Sequence, residues 1–153
     1  MEIRKAQNQD QPEILNLMRQ LIEEHRALDP YYKPFAQYRE LKKYVRKAIT
    51  DPKKLLLIAE EGGEIAGYFL GAIEPAPYYS SEKSIGLVAD TAVDKQYRRR
   101  GILRSLFREA LKWFQKKQLK VIELSVDARN NAAVAAWKKL GFKDYKLRLQ
   151  FKK

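Results

Sequence analysis

The chain has 153 residues, 45% of them hydrophobic and 33% charged, which is enough for one globular domain with its own core, residues 1–153. It has no cysteine, which excludes disulfides, thiolate metal sites and a cysteine nucleophile. The formal net charge of +12 predicts attraction to polyanions, whether nucleic acid, a phosphorylated cofactor or an acidic partner.

Two helices are predicted near the start of the chain, after a short strand at Glu2–Ala6. Asp10 is a suitable N-cap, and apolar residues three and four positions apart predict a helix over Gln11–Ala27. A segment with two prolines ends that helix. The same apolar spacing predicts a second helix over Ala36–Thr50, which an Asp-Pro pair ends.

Three strands are predicted in the middle of the chain. Lys54–Glu60 and Ile65–Glu74 flank the segment Glu61–Glu64, whose two glycines are typical of a tight hairpin turn. The third strand, Ile85–Asp94, follows a loop rich in proline, serine and tyrosine.

The second half of the chain alternates helices and strands. From Leu103 the apolar positions recur at i, i+3, i+4, i+7, i+8 and i+11, which predicts an amphipathic helix that ends near Lys117. Alternating apolar and polar residues predict a strand over Lys120–Asp127. A short helix over Asn130–Leu140 and a final strand over Phe142–Phe151 complete the chain.

The order β-α-α-β-β-β-α-β-α-β predicts a mixed α/β fold with one central sheet. The strand–helix–strand unit over 85–127 should be parallel and right-handed. We find no internal repeat and no linker that would divide the chain. No apolar run approaches 18 residues and the first residues lack a signal-peptide pattern, so we expect a cytoplasmic protein without a membrane segment.

A basic turn joins the strand that ends near Val93 to the amphipathic helix. Three arginines, Arg98–Arg100, and Gly101 precede the first helical turn, where backbone N–H groups are unpaired and the helix dipole is positive. Acidic residues are favoured at such a place, so arginines there indicate that an anion binds. The P-loop pattern and the Gly-x-Gly-x-x-Gly dinucleotide pattern are both absent.

The basic turn resembles the motif Val-x-Pro-x-Tyr-Arg-x-x-Gly-Ile-Gly of the GNAT superfamily of acyl-coenzyme A-dependent N-acyltransferases. The matching residues are Val93, Tyr97, Arg98, Gly101 and Ile102. Lys95 replaces the proline and Leu103 the second glycine. A second family block, strand–Asn-x-x-Ala–helix–Lys-x-Gly-Phe, is matched by Val126, Asn130, Ala133, Lys138 or Lys139, Gly141 and Phe142. With the order of the elements, the resemblance covers essentially the whole chain.

The resemblance implies a GNAT-like fold, whose central mixed sheet has splayed parallel strands, and acetyl-CoA as cosubstrate without a metal. The coenzyme diphosphate would lie across the backbone N–H groups from Arg98 to Arg104. A backbone N–H near Val93 would polarise the thioester carbonyl. The expected coenzyme-binding residues are Ala92, Val93, Arg98, Arg99, Arg100, Gly101, Ile102, Leu103, Arg104, Asn130 and Trp137.

An acceptor amine must lose a proton before it can attack the thioester. With a reference pKa of about 10.4, only about one lysine-like amine in a thousand is neutral at pH 7.4. Asp90 is the first candidate, as a base acting through water or as a counter-charge that orients the amine, although it also fits as a polar residue of a half-exposed strand. Glu123 on the neighbouring strand is the second.

Trp137 occupies a position where many family members have a tyrosine that protonates the leaving thiolate. Indole cannot do this at neutral pH. Tyr97 or Tyr145 could substitute, or the thiolate could leave unassisted. Trp137 also fits as a core residue of the last helix.

The resemblance favours an N-acetyltransferase that moves an acetyl group from acetyl-CoA to a primary amine of a small molecule, a polyamine or a protein, by direct attack in a ternary complex. A catalytically silent acyl-CoA-binding module is an alternative, suggested by Trp137 and Leu103, and a basic nucleic-acid-binding domain is a less favoured one, suggested by the net charge. The final strand could pair with a second copy to form a homodimer. Candidate acceptor-site residues are His25, Asp29, Tyr31, Tyr32, Tyr78 and Tyr79.

Overall fold

A computed structural model describes all 153 residues and contains one five-stranded sheet in the order β1-β2-β3-β4-β5. The elements in chain order are β1 (Glu2–Lys5), α1 (Gln11–Leu28), α2 (Leu41–Thr50), β2 (Lys54–Glu61), β3 (Glu64–Pro75), β4 (Ser84–Val93), α3 (Ile102–Lys116), β5 (Ile122–Glu123) and α4 (Asn131–Lys139). Neighbouring strands from β1 to β4 are antiparallel, and β5 is parallel to β4. The predicted mixed α/β fold is therefore confirmed. No helix is both long and apolar enough to span a bilayer.

The final predicted strand, Phe142–Phe151, is wrong: no residue after α4 is in a strand. The alternating apolar side chains of this segment are exposed, for example Leu147 and Leu149 at 83% each. A strand needs a hydrogen-bonding partner for its backbone, and the segment pairs with neither edge of the sheet. We call residues 142–153 the C-terminal segment.

Two other element boundaries differ from the prediction. The second helix begins at Leu41 rather than Ala36, because Tyr38 leaves the helical region with φ −87° and ψ 78° after a short 3₁₀ turn. The fifth strand pairs only at Ile122–Glu123 instead of over 120–127, because beyond Glu123 it diverges from β4.

The sheet has an apolar cluster on each face, because the strand side chains alternate. One face packs against α3 and α4, with Phe69, Leu106, Phe114 and Trp137 among the buried residues. The other packs against α1 and α2, with Ile14, Leu17, Val45 and Tyr68. We refer to these as the α3 face and the α1/α2 face.

Glycine allows α3 to lie close to β4. A Cβ at Gly86 would be 2.8 Å from Cδ1 of Phe114, a contact that real Cβ atoms do not make. The ring of Phe114 therefore rests directly on the backbone of β4. This close packing fixes the last turn of α3 over the beginning of β4.

Candidate functional site

A gap opens between β4 and β5 on the side where β4 ends. β5 pairs with β4 only at Gly86↔Ile122 and Leu87↔Glu123, whereas β4 continues to Val93 and pairs along that length with β3 alone. The two parallel strands are therefore splayed, as expected. The gap adjoins the basic turn and the first turn of α3.

A β-bulge decides which backbone groups of β4 point into this gap. Leu70 pairs with Asp90 but the next residue, Gly71, pairs with Val88, so Ala89 is an extra residue on β4. Before the bulge, the N–H of Gly86 donates to the Val121 carbonyl on the β5 side at 2.9 Å.

After the bulge the alternation is reversed. The N–H of Asp94 donates to the Ala66 carbonyl of β3 at 2.9 Å. Because N–H groups alternate along a strand, those of Val93 and Thr91 point away from β3, into the gap. The expected role of Val93, as a donor to the thioester carbonyl, requires an N–H that points this way. The N–H of Ala92 faces β3 instead.

The backbone of the basic turn leaves its outer side open. Arg99 and Gly101 both have left-handed φ values, 63° and 79°. No atom lies within 4 Å of where a Cβ at Gly101 would be. α3 begins immediately afterwards at Ile102, and its first intrahelical hydrogen bond is donated by Ser105 to the Gly101 carbonyl at 3.0 Å. The N–H groups of the first helical turn are therefore available to an anion.

The arginines of this turn differ in what they contact. Arg98 Nε donates to the Val93 carbonyl at 3.0 Å, and its Nη2 lies 2.7 Å from Oε1 of Glu24 on α1. Arg100 lies over the ring of Tyr97 and 3.8 Å from a carboxylate oxygen of Glu61. The side chains of Arg98 and Arg100 therefore hold the turn in place. The sequence did not predict that the arginines would differ in this way.

Arg99 and Arg104 are the remaining arginines of the turn and of the first turn of α3. Both side chains are exposed, and neither forms an ion pair or a side-chain hydrogen bond. A phosphate group could therefore bind them without first breaking an internal salt bridge.

Three other expected coenzyme contacts have structural roles. Asn130 caps α4, since its side-chain oxygen accepts from the Ala133 N–H at 3.1 Å. Leu103 packs against the core of the α3 face. Trp137 is 7% exposed and meets Phe107 edge to face at a centroid distance of 6.1 Å. This burial favours the interpretation of Trp137 as a core residue.

Asp90 lies on the α1/α2 face, half-buried, beside the gap. Burial raises the pKa of Asp90. Hydrogen bonds from Tyr68 and from the Thr91 N–H, together with the positive charge of His25, lower this pKa and so offset part of the rise. No lysine or arginine is among the groups that affect it. An acidic side chain without a lysine or arginine partner is notable in a chain with 31 such cations.

Two tyrosines that the sequence did not single out lie near Asp90. Tyr68 of β3 is completely buried, and Tyr44 of α2 is half-buried. Burial raises the pKa of each, and the negative charge of Asp90 raises it further. Only the pairing of β3 with β4 shows that Tyr68 and Asp90 share a face, so no sequence signal could have identified them together.

The other predicted catalytic residues lie outside this group. Glu123 lies on the same face of the sheet as Asp90, the α1/α2 face. Side chains alternate along a strand, and its neighbours Ile122 and Leu124 pack on the opposite, α3 face. Tyr145 is 68% exposed on the C-terminal segment. The hydroxyl of Tyr97 donates to Glu64 at 2.8 Å, which occupies it.

Several predicted acceptor-site residues meet at the end of α1. The ring of His25 lies 5.3 Å from that of Tyr32. Asp29 accepts hydrogen bonds from Arg129 at 3.1 Å and from Lys152 at 3.0 Å, and Lys152 also lies over the ring of Tyr31. The Tyr31 N–H and the Lys152 ammonium are the main groups that lower the pKa of Asp29 to about 2.

Tyr78 and Tyr79 lie on the loop between β3 and β4. Tyr78 is 99% exposed, and Tyr79 is hydrogen-bonded to Lys146 of the C-terminal segment. The segment is therefore attached at two lysines, one at this loop and one at Asp29.

A separate polar cleft of about 510 Å³ lies between α1 and the start of β3. Arg4 in its wall is already paired with Asp10 at 2.8 Å and with Glu60 at 3.1 Å. The acidic residues that line it are Asp10, Glu13, Glu60, Glu64 and Asp94. This lining would repel a diphosphate. No group of three or more His, Cys, Asp or Glu side chains is arranged to hold a metal ion.

The sequence profile of the acetyltransferase (GNAT) family matches residues 17–142. The chain belongs to this family. A relative named N-alpha-acetyltransferase from Sulfurisphaera tokodaii is 31% identical over 152 residues, which cover 95% of this chain and 81% of that protein. This GNAT protein is an N-acetyltransferase, as the resemblance implied.

Solved structures share the fold over almost the whole chain. A mutant of the BH1408 protein from Bacillus halodurans superposes with a TM-score of 0.90 at 24% identity, covering 99% of both chains. The aminoglycoside N-acetyltransferase AAC(6')-Iy, in complex with CoA, superposes with a TM-score of 0.78 at 14% identity, covering 99% of this chain and 98% of that one.

Proposed function

We propose that this GNAT protein transfers an acetyl group from acetyl-CoA to a primary amine, by direct attack of the amine in a ternary complex. The observation that carries the proposal is the combination of a half-buried Asp90, without a lysine or arginine partner, and a strand gap that receives the Val93 N–H. The carboxylate suits proton removal, and the N–H suits a developing oxyanion.

The coenzyme would bind at the basic turn. The N–H groups from Arg98 to Arg104, the helix dipole and the free guanidinium groups of Arg99 and Arg104 fit a diphosphate. The CoA complex of the structurally similar aminoglycoside acetyltransferase supports the choice of coenzyme. Asn130 and Trp137 remain proposed neighbours of the coenzyme, although their side chains already cap α4 and fill the core.

The amine would approach from the α1/α2 face. A proton leaves the ammonium group for Asp90, and the neutral nitrogen then attacks the thioester carbonyl carbon. The Val93 N–H stabilises the tetrahedral oxyanion, which collapses as the C–S bond breaks. The thiolate leaves and takes a proton from solvent, since Tyr97 is occupied by Glu64 and Trp137 is buried.

An assay of thiol release from acetyl-CoA tests the function across a panel of amines. The panel should contain free peptide N-termini, after the Sulfurisphaera relative, and aminoglycosides, after the structural neighbour. We expect at least one amine to be acetylated, with the product found by mass spectrometry. Absence of turnover with every amine, in a protein that binds CoA, would support a silent binding module instead.

We also propose that the protein forms a homodimer in which the C-terminal segment pairs with a second copy. The segment has the alternating pattern of a strand and exposes its apolar side chains, and the outer edge of β5 has no partner. In a dimer, the C-terminal segment of each copy would have an unpaired strand edge and an apolar segment of the other copy to pair with. The cytoplasmic location stays a prediction, which cell fractionation can test.

A further inference from the structure

The hydroxyl of Tyr68 is the one buried side-chain polar atom of this chain that has no hydrogen-bond partner of normal geometry. Tyr68 is 0% exposed and lies in the middle of β3. Buried hydroxyl groups are nearly always paired, so an unpaired one indicates a functional role, a bound water or local strain. Phenylalanine would fill this position without the unpaired group.

The surroundings of Tyr68 point to the reaction centre. Tyr68 is opposite Ala92 and Asp90 is opposite Leu70, so Tyr68 and Asp90 are diagonal neighbours on one face. The titratable groups that face Asp90 are Tyr68 from β3, Tyr44 from α2 and His25 from α1. Lys54 from β2 lies over the ring of Tyr44, 5.1 Å from its centroid. The other side chains nearby are apolar: Leu56, Ile58, Leu70 and Ala92.

We propose that Tyr68 is a positioning residue for acetyl transfer, whose hydroxyl donates a hydrogen bond directly to the Asp90 carboxylate. Interaction with Tyr68 lowers the pKa of Asp90, and in the structure the contact falls short of normal hydrogen-bond geometry. The hydroxyl is fully enclosed, so the carboxylate on the same face is the partner that it can reach. This role needs only a small adjustment of two side chains that are already neighbours. This inference rests on the proposed function.

The proton transfer conserves atoms and charge. The ammonium group of the acceptor gives one proton to Asp90, and the C–N bond then forms from the neutral amine. Tyr68 keeps its proton throughout, and its hydrogen bond to one carboxylate oxygen orients the other oxygen towards the amine.

The variant Tyr68→Phe tests this role, because it removes only the hydroxyl. We expect kcat to fall by about 10- to 100-fold, part of the range typical for general base catalysis, with the Kd for CoA unchanged. We also expect the acid limb of the kcat/KM profile to move to higher pH, because the Asp90 carboxylate loses hydrogen-bonding support. The melting temperature should stay the same or rise, since the hydroxyl that leaves the core makes no hydrogen bond of normal geometry.

Tyr44→Phe is the matched control, because it removes a second hydroxyl near Asp90 that makes no hydrogen bond with the carboxylate. We expect the acid limb of the kcat/KM profile of Tyr44→Phe to lie at the same pH as in the wild type. Wild-type kcat and an unmoved acid limb in Tyr68→Phe would overturn the proposal. A loss of kcat that accompanies a fall in melting temperature, without a shift of the limb, would also overturn it.

A titration of Asp90 by NMR, in protein labelled at the aspartate carboxyl carbons, separates this inference from the proposed function. We expect the pKa of Asp90 to be higher in Tyr68→Phe than in the wild type. Loss of activity in Asp90→Asn together with full activity in Tyr68→Phe would overturn the role of Tyr68 and leave the acetyl transfer intact. Absence of turnover in the wild type would overturn both the function and the catalytic role of Tyr68.

Discussion

At the scale of single residues, the site contains a carboxylate, Asp90, that burial makes harder to ionise. It also contains arginines, some of which are paired with carboxylates inside the protein while others are free to bind a ligand. Burial raises the pKa of Asp90, so the folded chain holds its proton more strongly than the unfolded chain does. Stability contributed by the protonated form is lost as the pH rises from the ordinary aspartate pKa through the raised one. At neutral pH the ionised Asp90 therefore destabilises the fold while it serves as the base.

The variant Asp90→Asn should separate these two effects. We expect kcat to fall by about 10²- to 10⁴-fold, the usual contribution of a general base. The melting temperature should rise at pH 7.5, and the difference from the wild type should shrink towards pH 4. Thermal melts at several pH values measure the change in melting temperature, and thiol-release kinetics measure the change in kcat. Glu123→Gln, which changes the second candidate on the same face, should have the smaller effect on kcat, and a larger one would reverse the assignment.

The double variant Arg99→Ala/Arg104→Ala should weaken coenzyme binding, because these side chains have no internal ion pair. We expect the Kd for CoA to increase by about tenfold or more, equivalent to about 1.4 kcal/mol. Calorimetry at two salt concentrations should show a weaker salt dependence than in the wild type. Arg100→Ala is the control, since Arg100 is already held by Glu61 and Tyr97. Equal losses in both variants would contradict the distinction between the arginines.

At the scale of elements, an ion-pair group links the end of α1 to the segment after β5. Arg129 contacts Asp127 at 2.7 Å and Asp29 at 3.1 Å. Hydrogen bonds from Arg129 are the main cause that lowers the pKa of Asp127 to about 2, and they contribute to the similar pKa of Asp29. For such depressed values, the stabilisation is complete above the ordinary aspartate pKa and is lost as the pH falls towards 2.

Arg129→Gln should therefore move acid unfolding to higher pH. Without the guanidinium group, both carboxylates would protonate closer to the ordinary value, so the stabilisation would be lost earlier in the titration. Circular dichroism between pH 5 and pH 1.5 measures the midpoint. Lys138→Gln provides the control, since it breaks an exposed pair with Asp144. A midpoint that is the same in wild type and Arg129→Gln would show that the link does not stabilise the fold.

Local patterns in the sequence predicted the elements whose stability is local. The apolar spacing of α1 and α3, the two-glycine turn between β2 and β3, and the Asn130 cap each act within a few residues, and all were confirmed. The bulge at Ala89 has no local signature, because it is defined by pairing with β3. The position of Tyr68 next to Asp90 depends on the same pairing. The sequence therefore indicated Asp90 as a candidate catalytic residue but gave no sign that Tyr68 lies beside it.

At the scale of the whole molecule, the C-terminal segment shows why its strand pattern was misleading. Four apolar side chains alternate along it, at Tyr145, Leu147, Leu149 and Phe151, and all are exposed by 68% or more. Burial of such a side chain stabilises a protein by about 1.5–3 kcal/mol, so four of them favour association strongly. The alternation predicts a strand, but a single copy offers it no partner.

A second copy would supply that partner, and salt should help it to do so. The segment carries Lys143, Lys146, Arg148, Lys152 and Lys153, so two segments repel each other at low ionic strength. We expect light scattering after gel filtration to show a dimer whose fraction rises with protein and salt concentration. Leu147→Ser/Leu149→Ser should shift the protein to monomer, whereas Tyr78→Ser, at a 99% exposed loop position, should leave the dimer intact. A wild type that stays monomeric at about 100 µM and high salt would show that the apolar pattern serves no association between copies.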